Sequence, residues 1–253
     1  MTDPDARTLS TTETSLAIVE AIDEMGGARM RDIAEELDMP TSTVHVHLRT
    51  LIQGEFVVKR GEVYHLALHL FHLGEQARQR DQRFDLAQEK AHELADQCNE
   101  EVSFAVEEYG RAIILYNIVS DPSVAGFQVG RYFYMHNSAV GKAMLAAMDD
   151  ERVAEIVDRR GLPQVTDNTI TDRAALFAEL DRTRERGYAV NDQEALDGLR
   201  AVGVPVTDPQ GEVLGAFDIS GPPYRLPDDD ELATMLTAAV EELEADIASA
   251  NPF

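Results

Sequence analysis

The stretch from Met30 to Leu66, MRDIAEELDMPTSTVHVHLRTLIQGEFVVKRGEVYHL, constrains this chain more than any other. Ile33, Ala34 and Leu37 recur at helical spacing and predict a short helix. Asp38-Met39-Pro40 ends it, because a proline ring pushes the residue before it out of the helical region. Thr41, Ser42 and Thr43 follow, each with a side-chain oxygen able to cap a second helix. Val44, Leu48 and Leu51 give that helix one apolar stripe. Two short helices joined by a tight turn make a helix-turn-helix, whose second helix can enter a DNA major groove. Its outward side carries Ser42, Thr43, His45, Val46, Arg49 and Thr50, and His47 joins His45 and Val46 as a candidate base reader.

The next residues extend the motif. Phe56-Val57-Val58 and Val63-Tyr64-His65-Leu66 read as two short strands around Lys59-Arg60-Gly61-Glu62, a tight turn with glycine available for positive φ. That is a β-wing with two adjacent cations at its tip. Lys59, Arg60 and Arg49 are candidate phosphate contacts, the bland alternative being solvated surface cations. Ser42 and Thr43 can also donate to a phosphate at the helix N-terminus.

A chain of 253 residues is long for one compact domain and comfortable for two. Before the motif, Leu16, Val19, Ile22 and Met25 mark a helix over Thr12–Met25, stopped by Gly26-Gly27. After it, Ala67 to Arg80 predicts a further helix. Leu68, Leu70, Phe71 and Leu73 give it more apolar surface than a solvated linker needs, so it is expected to pack against a partner chain. The polar run Arg78 to Arg83 marks the boundary. The expected division is a winged helix-turn-helix over 1–66, a linker helix over 67–83 and a second domain over 84–253.

In that second domain a helical period over Phe84–Asn99 gives way to alternation at Val102, Phe104 and Val106, and a mostly apolar strand runs from Ala112 to Val119. One or two strands are expected within Val124–Phe133, and helices over Ser138–Met148 and Asp150–Arg160. Thr171 or Asp172 caps another helix that Gly187 stops near Arg186. Tyr188-Ala189-Val190 is a strand, Val202–Val206 and Val213–Ile219 form a hairpin, and Pro227 with Asp228 to Glu231 opens a last helix to about Ser249. The class is α+β, an antiparallel sheet with helices on its faces.

Net charge is −25, unusual for a DNA binder. Residues 1–80 hold 8 basic and 13 acidic side chains (−5), and residues 81–253 hold 14 and 34 (−20). Only Lys59, Lys90 and Lys142 are lysines. Abundant acid with scarce lysine suits a salty interior, where screening removes self-repulsion; an acidic protein of ordinary cytoplasm is the alternative. No apolar run approaches the roughly 20 residues of a membrane span. The N-terminus has no basic or apolar leader region, and the one cysteine, Cys98, fits a reducing cytoplasm.

Chemistry-bearing patterns are sparse. His65, His69 and His72 are three and four apart, but His65 falls in a wing strand and no acid or cysteine completes a tetrad, so no metal is expected. Gly141-Lys142 lacks the glycine spacing of a phosphate loop. No catalytic residues and no cofactor are assigned. The alternatives to a DNA-binding protein are an enzyme built on the second domain, which would need a nucleophile that Cys98 supplies poorly, and a winged helix that docks proteins only.

Three motifs resemble the isocitrate lyase regulator (IclR) family of transcription factors: Pro40-Thr41-Ser42-Thr43-Val44-His45, Gly130 through Ala147 (GRYFYMHNSAVGKAMLAA) and Gly187 through Pro222 (GYAVNDQEALDGLRAVGVPVTDPQGEVLGAFDISGP). They span nearly the whole chain in the family's order and spacing. The resemblance implies an N-terminal winged helix that binds a double-stranded operator, a C-terminal GAF-like domain that binds a small effector, and a homodimer or tetramer. It also implies where the effector sits: at the N-terminus of the Ser138–Met148 helix, whose Ala139 and Val140 N–H groups face the ligand, beside Asn191, Ala201, Asp218 and Ser220. Members that bind small oxo-acids place an acid, a cysteine and serines at the last four positions, and only Ser220 keeps that pattern. Asp218 accepts from hydroxyls or an amine if it faces the pocket, or pairs with an arginine if it does not. The expected ligand is therefore polyhydroxylated, a sugar or sugar acid.

Overall fold

A computed structural model describes residues 7–119 and 129–250, and the chain divides into two compact units, Met1–Arg80 and Asp81–Phe253. The first unit runs α1 (Ser10–Glu24), β1 (Ala28–Arg29), α2 (Met30–Glu36), α3 (Thr41–Gln53), β2 (Val57–Arg60), β3 (Val63–Leu66) and α4 (His69–Arg78). Its core gathers the apolar stripe of each helix, Ile18 and Ile22 from α1, Ile33 from α2, Val44, Leu48 and Leu51 from α3, and is closed by Val57 and Tyr64 of the wing. Between α2 and α3, Asp38 takes a left-handed conformation at φ +48, one of the few non-glycine residue types that tolerate it.

Two local expectations are corrected here. None of Thr41, Ser42 and Thr43 caps α3 through its side chain. Pro40, extended at ψ 132, is the N-cap residue, and its carbonyl accepts from Thr43 N (2.9 Å) and Val44 N (3.2 Å). The proline thus starts the helix one residue earlier than a hydroxyl cap would. In the wing, Arg60 pairs with Val63, so the turn is only Gly61-Glu62 and both Lys59 and Arg60 belong to β2. Gly61, at φ +60, supplies the left-handed residue of that turn. The two-residue β1, which pairs with β3, was too short to leave a periodic signal. No residue of α4 is fully buried, and Phe71 is 68% exposed, with Leu68 just before the helix at 85%.

The second unit runs α5 (Arg83–Cys98), β4 (Glu101–Glu108), β5 (Arg111–Ile118), β6 (Tyr132–Tyr134), α6 (Ala139–Ala147), α7 (Asp150–Arg160), α8 (Arg173–Arg186), β7 (Ala189–Asp192), β8 (Arg200–Thr207), β9 (Val213–Gly221) and α9 (Asp229–Ser249). The part of the Val124–Phe133 expectation before 129 lies outside the described residues. Six strands form one antiparallel sheet in the order β6-β5-β4-β9-β8-β7. Strand alternation sorts β9 between two cores: Phe217 and Ile219 pack with α5 and α9, while Ala216 packs with α6, α7 and α8. Asp218 and Ser220 therefore share the α6 face. On β8, Gly203 lets α6 come down onto the sheet. A Cβ there would lie 2.8 Å from the Ala139 carbonyl carbon.

Candidate functional site

On α3 the residues the core does not use point outward. Ser42, His45, Val46, Arg49 and Thr50 are exposed, Val46 at 63%, and Thr43 is half-buried. His47 departs from the expectation. It is half-buried, and its Nδ1 lies 2.8 Å from Ser15 Oγ of α1. The reason is the helix period: position 47 flanks the Val44–Leu48–Leu51 stripe, so its ring turns toward α1 instead of the outward face. Lys59 lies 3.6 Å from Glu62 and over the Tyr64 ring at 5.3 Å; Arg60 is exposed. The three spaced histidines are engaged in packing. His65 lies against Gly27, and His69 meets Phe56 edge-on at 5.5 Å and stacks on His72 at 6.3 Å.

In the second unit a cleft opens where the N-terminus of α6 meets the sheet. It encloses about 290 Å³ of space not filled by atoms, part of it open to solvent. Five of the six expected residues line it: Ala139, Val140, Asn191, Ala201 and Asp218. Ser220 does not. It is fully buried two residues further along β9, opposite Ala201 and Glu101, and its Oγ has no hydrogen-bond partner. Sequence reasoning missed Ser103, Ser138, Ile114, Phe133, Ala195 and Leu199, which complete the wall. Ser103 is there because β4 pairs with β9 so that Ser103 lies opposite Asp218, a register that no local signal in the sequence carries. Ser138 did have a signal, as the capping residue before an apolar helix. Its Oγ accepts from Gly141 N at 3.2 Å and donates to the Tyr134 carbonyl at 3.0 Å. That leaves the first-turn N–H groups of Ala139 and Val140 without intrahelical partners.

Asp218 dominates the electrostatics of the cleft. It is 7% exposed, and its Oδ1 has no hydrogen-bond partner. Burial, then repulsion from Glu101, pushes its carboxyl up to about 7, and hydrogen bonds from Ser103 offset only part of that. Among the described residues no ion pair to an arginine holds it. Among the described residues, no lysine, arginine or histidine lines the cleft. Asn191 is half committed: its Oδ1 accepts from Glu194 N (2.9 Å) and Ala195 N (3.4 Å), so its amide N–H groups are what it can offer a ligand.

The far wall is the loop between β7 and β8, and it is tied down from several sides. Lys142 of α6 donates to Glu194 in a buried ion pair, with both partners below a tenth exposed. Thr169 Oγ1 donates to the Glu194 carbonyl at 2.7 Å, and Thr166 Oγ1 to the Gln193 carbonyl at 2.7 Å. Burial raises the Glu194 carboxyl and the Lys142 charge pulls it back. Cys98 is half-buried on the opposite core with its thiol raised by burial, the environment of an inert side chain. Among the described residues, no three His, Cys, Asp or Glu converge as metal ligands, and no helix is long and apolar enough to cross a membrane.

Comparison with known proteins bears on both surfaces. Residues 11–61 match the IclR helix-turn-helix domain, and residues 79–247 match the bacterial transcriptional regulator IclR C-terminal domain. The chain is 31% identical over 236 residues to the Escherichia coli transcriptional repressor IclR, covering 90% of this chain and 86% of that one. It is 29% identical over 233 residues to the Escherichia coli HTH-type transcriptional regulator KdgR, covering 90% and 89%. The crystal structure of Thermotoga maritima IclR has the same fold, with a TM-score of 0.74 at 24% identity over 95% of this chain and 99% of that one. With a helix-turn-helix and wing in the first unit, a cleft in the second and both family domains matched in order, this chain belongs to the IclR family of transcriptional regulators, ligand-responsive DNA-binding proteins and not enzymes.

Proposed function

We propose that this regulator binds a small polyhydroxylated molecule, a sugar or sugar acid, in the α6 cleft and that this ligand alters its grip on an operator. One observation carries the ligand class: Asp218 is buried with an unpartnered oxygen in a cleft that, among the described residues, no cation lines. A dianionic or compact oxo-acid ligand would meet that carboxyl with no countercharge, whereas a hydroxyl donates to it. The N–H groups at the α6 N-terminus suit a single acidic oxygen at the other end, as in a sugar acid. A thermal-shift panel tests this. A sugar or sugar acid at about 100 times its dissociation constant adds about 2.7 kcal/mol of stability. Strong stabilisation by pyruvate or glyoxylate, undiminished in Asp218→Ala and Asn191→Ala, would refute both the ligand class and its placement.

On the DNA side, His45, Val46, Ser42 and Arg49 read or grip the major groove, Thr43 backs the helix N-terminus, and Lys59 and Arg60 hold the flanking phosphates. Two half-sites about one helical turn apart need two such winged helices in fixed register, so the protein works in the cytoplasm as a homodimer or tetramer. The exposed apolar residues Leu68, Phe71 and Leu73 support the start of α4 as the contact with a second copy. Light scattering showing a monomer at micromolar concentration and high salt would overturn that assembly.

A further inference from the structure

Among the described residues of the second unit, Glu100, Glu101, Glu179, Glu194 and Asp218 are the buried acids. Three of them are matched by a base. Glu100 takes Arg225 at 2.6 Å, Glu179 takes Arg182 at 2.7 Å and Arg186 at 2.8 Å, and Glu194 takes Lys142. The other two, Glu101 and Asp218, are neighbours on one sheet face, and Asp218 has no base against it among the described residues. Taking a carboxylate out of water is costly unless a countercharge compensates.

Strand register explains how these two meet. Val102 and Phe104 of β4 turn to the core under α5 and α9, so Glu101 and Ser103 stand on the α6 face, as Asp218 and Ser220 do on β9. Antiparallel pairing sets Glu101 opposite Ser220 and Ser103 opposite Asp218. Opposed side chains start about 5 Å apart, and residues two apart on one strand about 7 Å. Four oxygen-bearing side chains therefore rise from the corners of a small rectangle, each less than a tenth exposed. Two of the oxygens are open, since Asp218 Oδ1 and Ser220 Oγ are buried without a hydrogen-bond partner. Glu101 is close enough for its charge to act on Asp218, and Ser103 hydrogen-bonds to the Asp218 carboxylate. Asn117 Oδ1 of β5 anchors the Ser103 hydroxyl at 3.0 Å.

A water could satisfy one of these oxygens but would leave two acids side by side. A monatomic cation answers both needs and takes no more room than a water, because its contacts to oxygen, about 2.3–2.6 Å for calcium, are shorter than hydrogen bonds. The four residues offer no nitrogen or sulfur ligand, and an all-oxygen set selects a hard cation. Magnesium keeps several waters, which residues this buried do not admit, whereas calcium accepts irregular sets of oxygens.

We propose that Glu101, Ser103, Asp218 and Ser220 hold a single calcium ion at the edge of the effector cleft. Ser103 and Asp218 also line that cleft, so the ion borders the ligand. Two carboxylates balance one dication. No surplus positive charge arises, and the ligand class proposed above is unaffected.

The test is calorimetric titration of the chelator-treated full chain with calcium chloride and with magnesium chloride, in about 1 M potassium chloride to screen diffuse binding to the acidic surface. One calcium ion binds per chain, and magnesium binds at least tenfold more weakly. Glu101→Gln, which keeps the shape and removes the charge, weakens calcium at least tenfold. Ser220→Ala removes a buried hydroxyl that has no partner in the metal-free fold, so the variant folds, and it weakens calcium at least threefold. Far-UV circular dichroism checks the fold of both. Absence of calcium binding, or equal affinity for magnesium, would overturn the proposal. Calcium binding unchanged in both variants would also overturn it, by assigning the ion to surface acids. Because the probe is the metal alone, none of these failures touches the sugar or sugar-acid reading.

Discussion

On α3 the polar groups proposed to meet DNA are the ones the core leaves over: Val44, Leu48 and Leu51 are buried and Ser42, His45 and Arg49 stand in water. In the proposed effector cleft the order is reversed. Ser103, Asn191 and Asp218 are all less than a tenth exposed, on strands whose other faces fill the hydrophobic core. A reading surface on a helix is therefore cheap in stability, because its side chains stay hydrated until DNA arrives. A cleft lined by buried polar groups holds desolvated oxygen and a raised carboxyl in the unliganded protein, and this cost is returned when a ligand supplies the missing partners. Substitutions should accordingly hurt the fold in the cleft of the second unit and hurt only binding on the exposed face of α3 and the wing.

The sharpest break of that comparison is at Lys142. Lys142→Ala leaves Glu194 charged and buried with one carboxylate oxygen already unpartnered. Loss of one partner of a buried ion pair costs about 3–5 kcal/mol, so urea unfolding followed by far-UV circular dichroism should show the second unit melting first. The double variant Lys142→Met, Glu194→Leu should recover most of the loss. A single variant as stable as the parent would mean that the loop walling the cleft is not held through this pair.

Asp218 gives the next largest effect, and its sign is fixed by the direction of its shift. Its folded carboxyl lies near 7 against an ordinary 3.8, so the native state holds a proton that the unfolded chain has released. Stability is then lost as pH rises from about 4 to about 7, by up to about 1.4 kcal/mol per pH unit, and is flat above. Asp218→Asn removes the titration. Relative to wild type the variant should gain about 2–4 kcal/mol between pH 4 and pH 8, read from urea midpoints at the two pH values. A constant difference across that range would show that Asp218 is solvated, and would end its place in the cleft.

How much of this could be read from the residues follows the same division. In the first unit each core position repeats at helical spacing, so α1, α2, α3 and the wing are legible, and with them the exposed face of α3. In the second unit the helices are legible from their ends: Asp149 caps α7 through Arg152 N, Asp172 caps α8 through Ala175 N, and Gly187 at φ +85 stops it. The cleft is legible only where the family motifs mark it. Ser103 enters through strand register, Ala195 and Leu199 through the fold of a loop, and Ser220 drops out because the cleft ends one strand pair short of it. These are long-range facts, and local pattern carries none of them.

In the first unit the expected losses are of binding. Lys59→Ala with Arg60→Ala removes two cations from β2. The Lys59–Glu62 pair is solvated and worth little, so the fold is unaffected. Operator affinity should fall on every sequence alike, and the slope of log affinity against log salt should flatten by about 1.8. Filter binding across a salt series measures both. An unchanged slope would remove the wing from the DNA interface.

The smallest effect separates the two faces of α3 itself. His45 and His47 are two residues apart, hence on different sides of the helix, and only His45 is exposed. His47 is tied to Ser15 at 2.8 Å, so His47→Ala gives up one half-buried hydrogen bond between α3 and α1, about 0.5–1.5 kcal/mol of stability. Because its ring faces α1, the ranking of operator variants should be the same as for wild type, only at a slightly lower melting temperature. His45→Ala should do the opposite: no change in melting, and a loss of about 1–3 kcal/mol of discrimination at whichever base pair it contacts. Ser15→Ala is the control, since it removes the same hydrogen bond from the α1 side and should reproduce the His47→Ala melting shift. A selection experiment on randomised duplexes compares all three variants at once. If His47→Ala changes the selected sequence while Ser15→Ala does not, the ring leaves α1 when DNA binds, and the boundary between the structural and the reading face of α3 moves by one position.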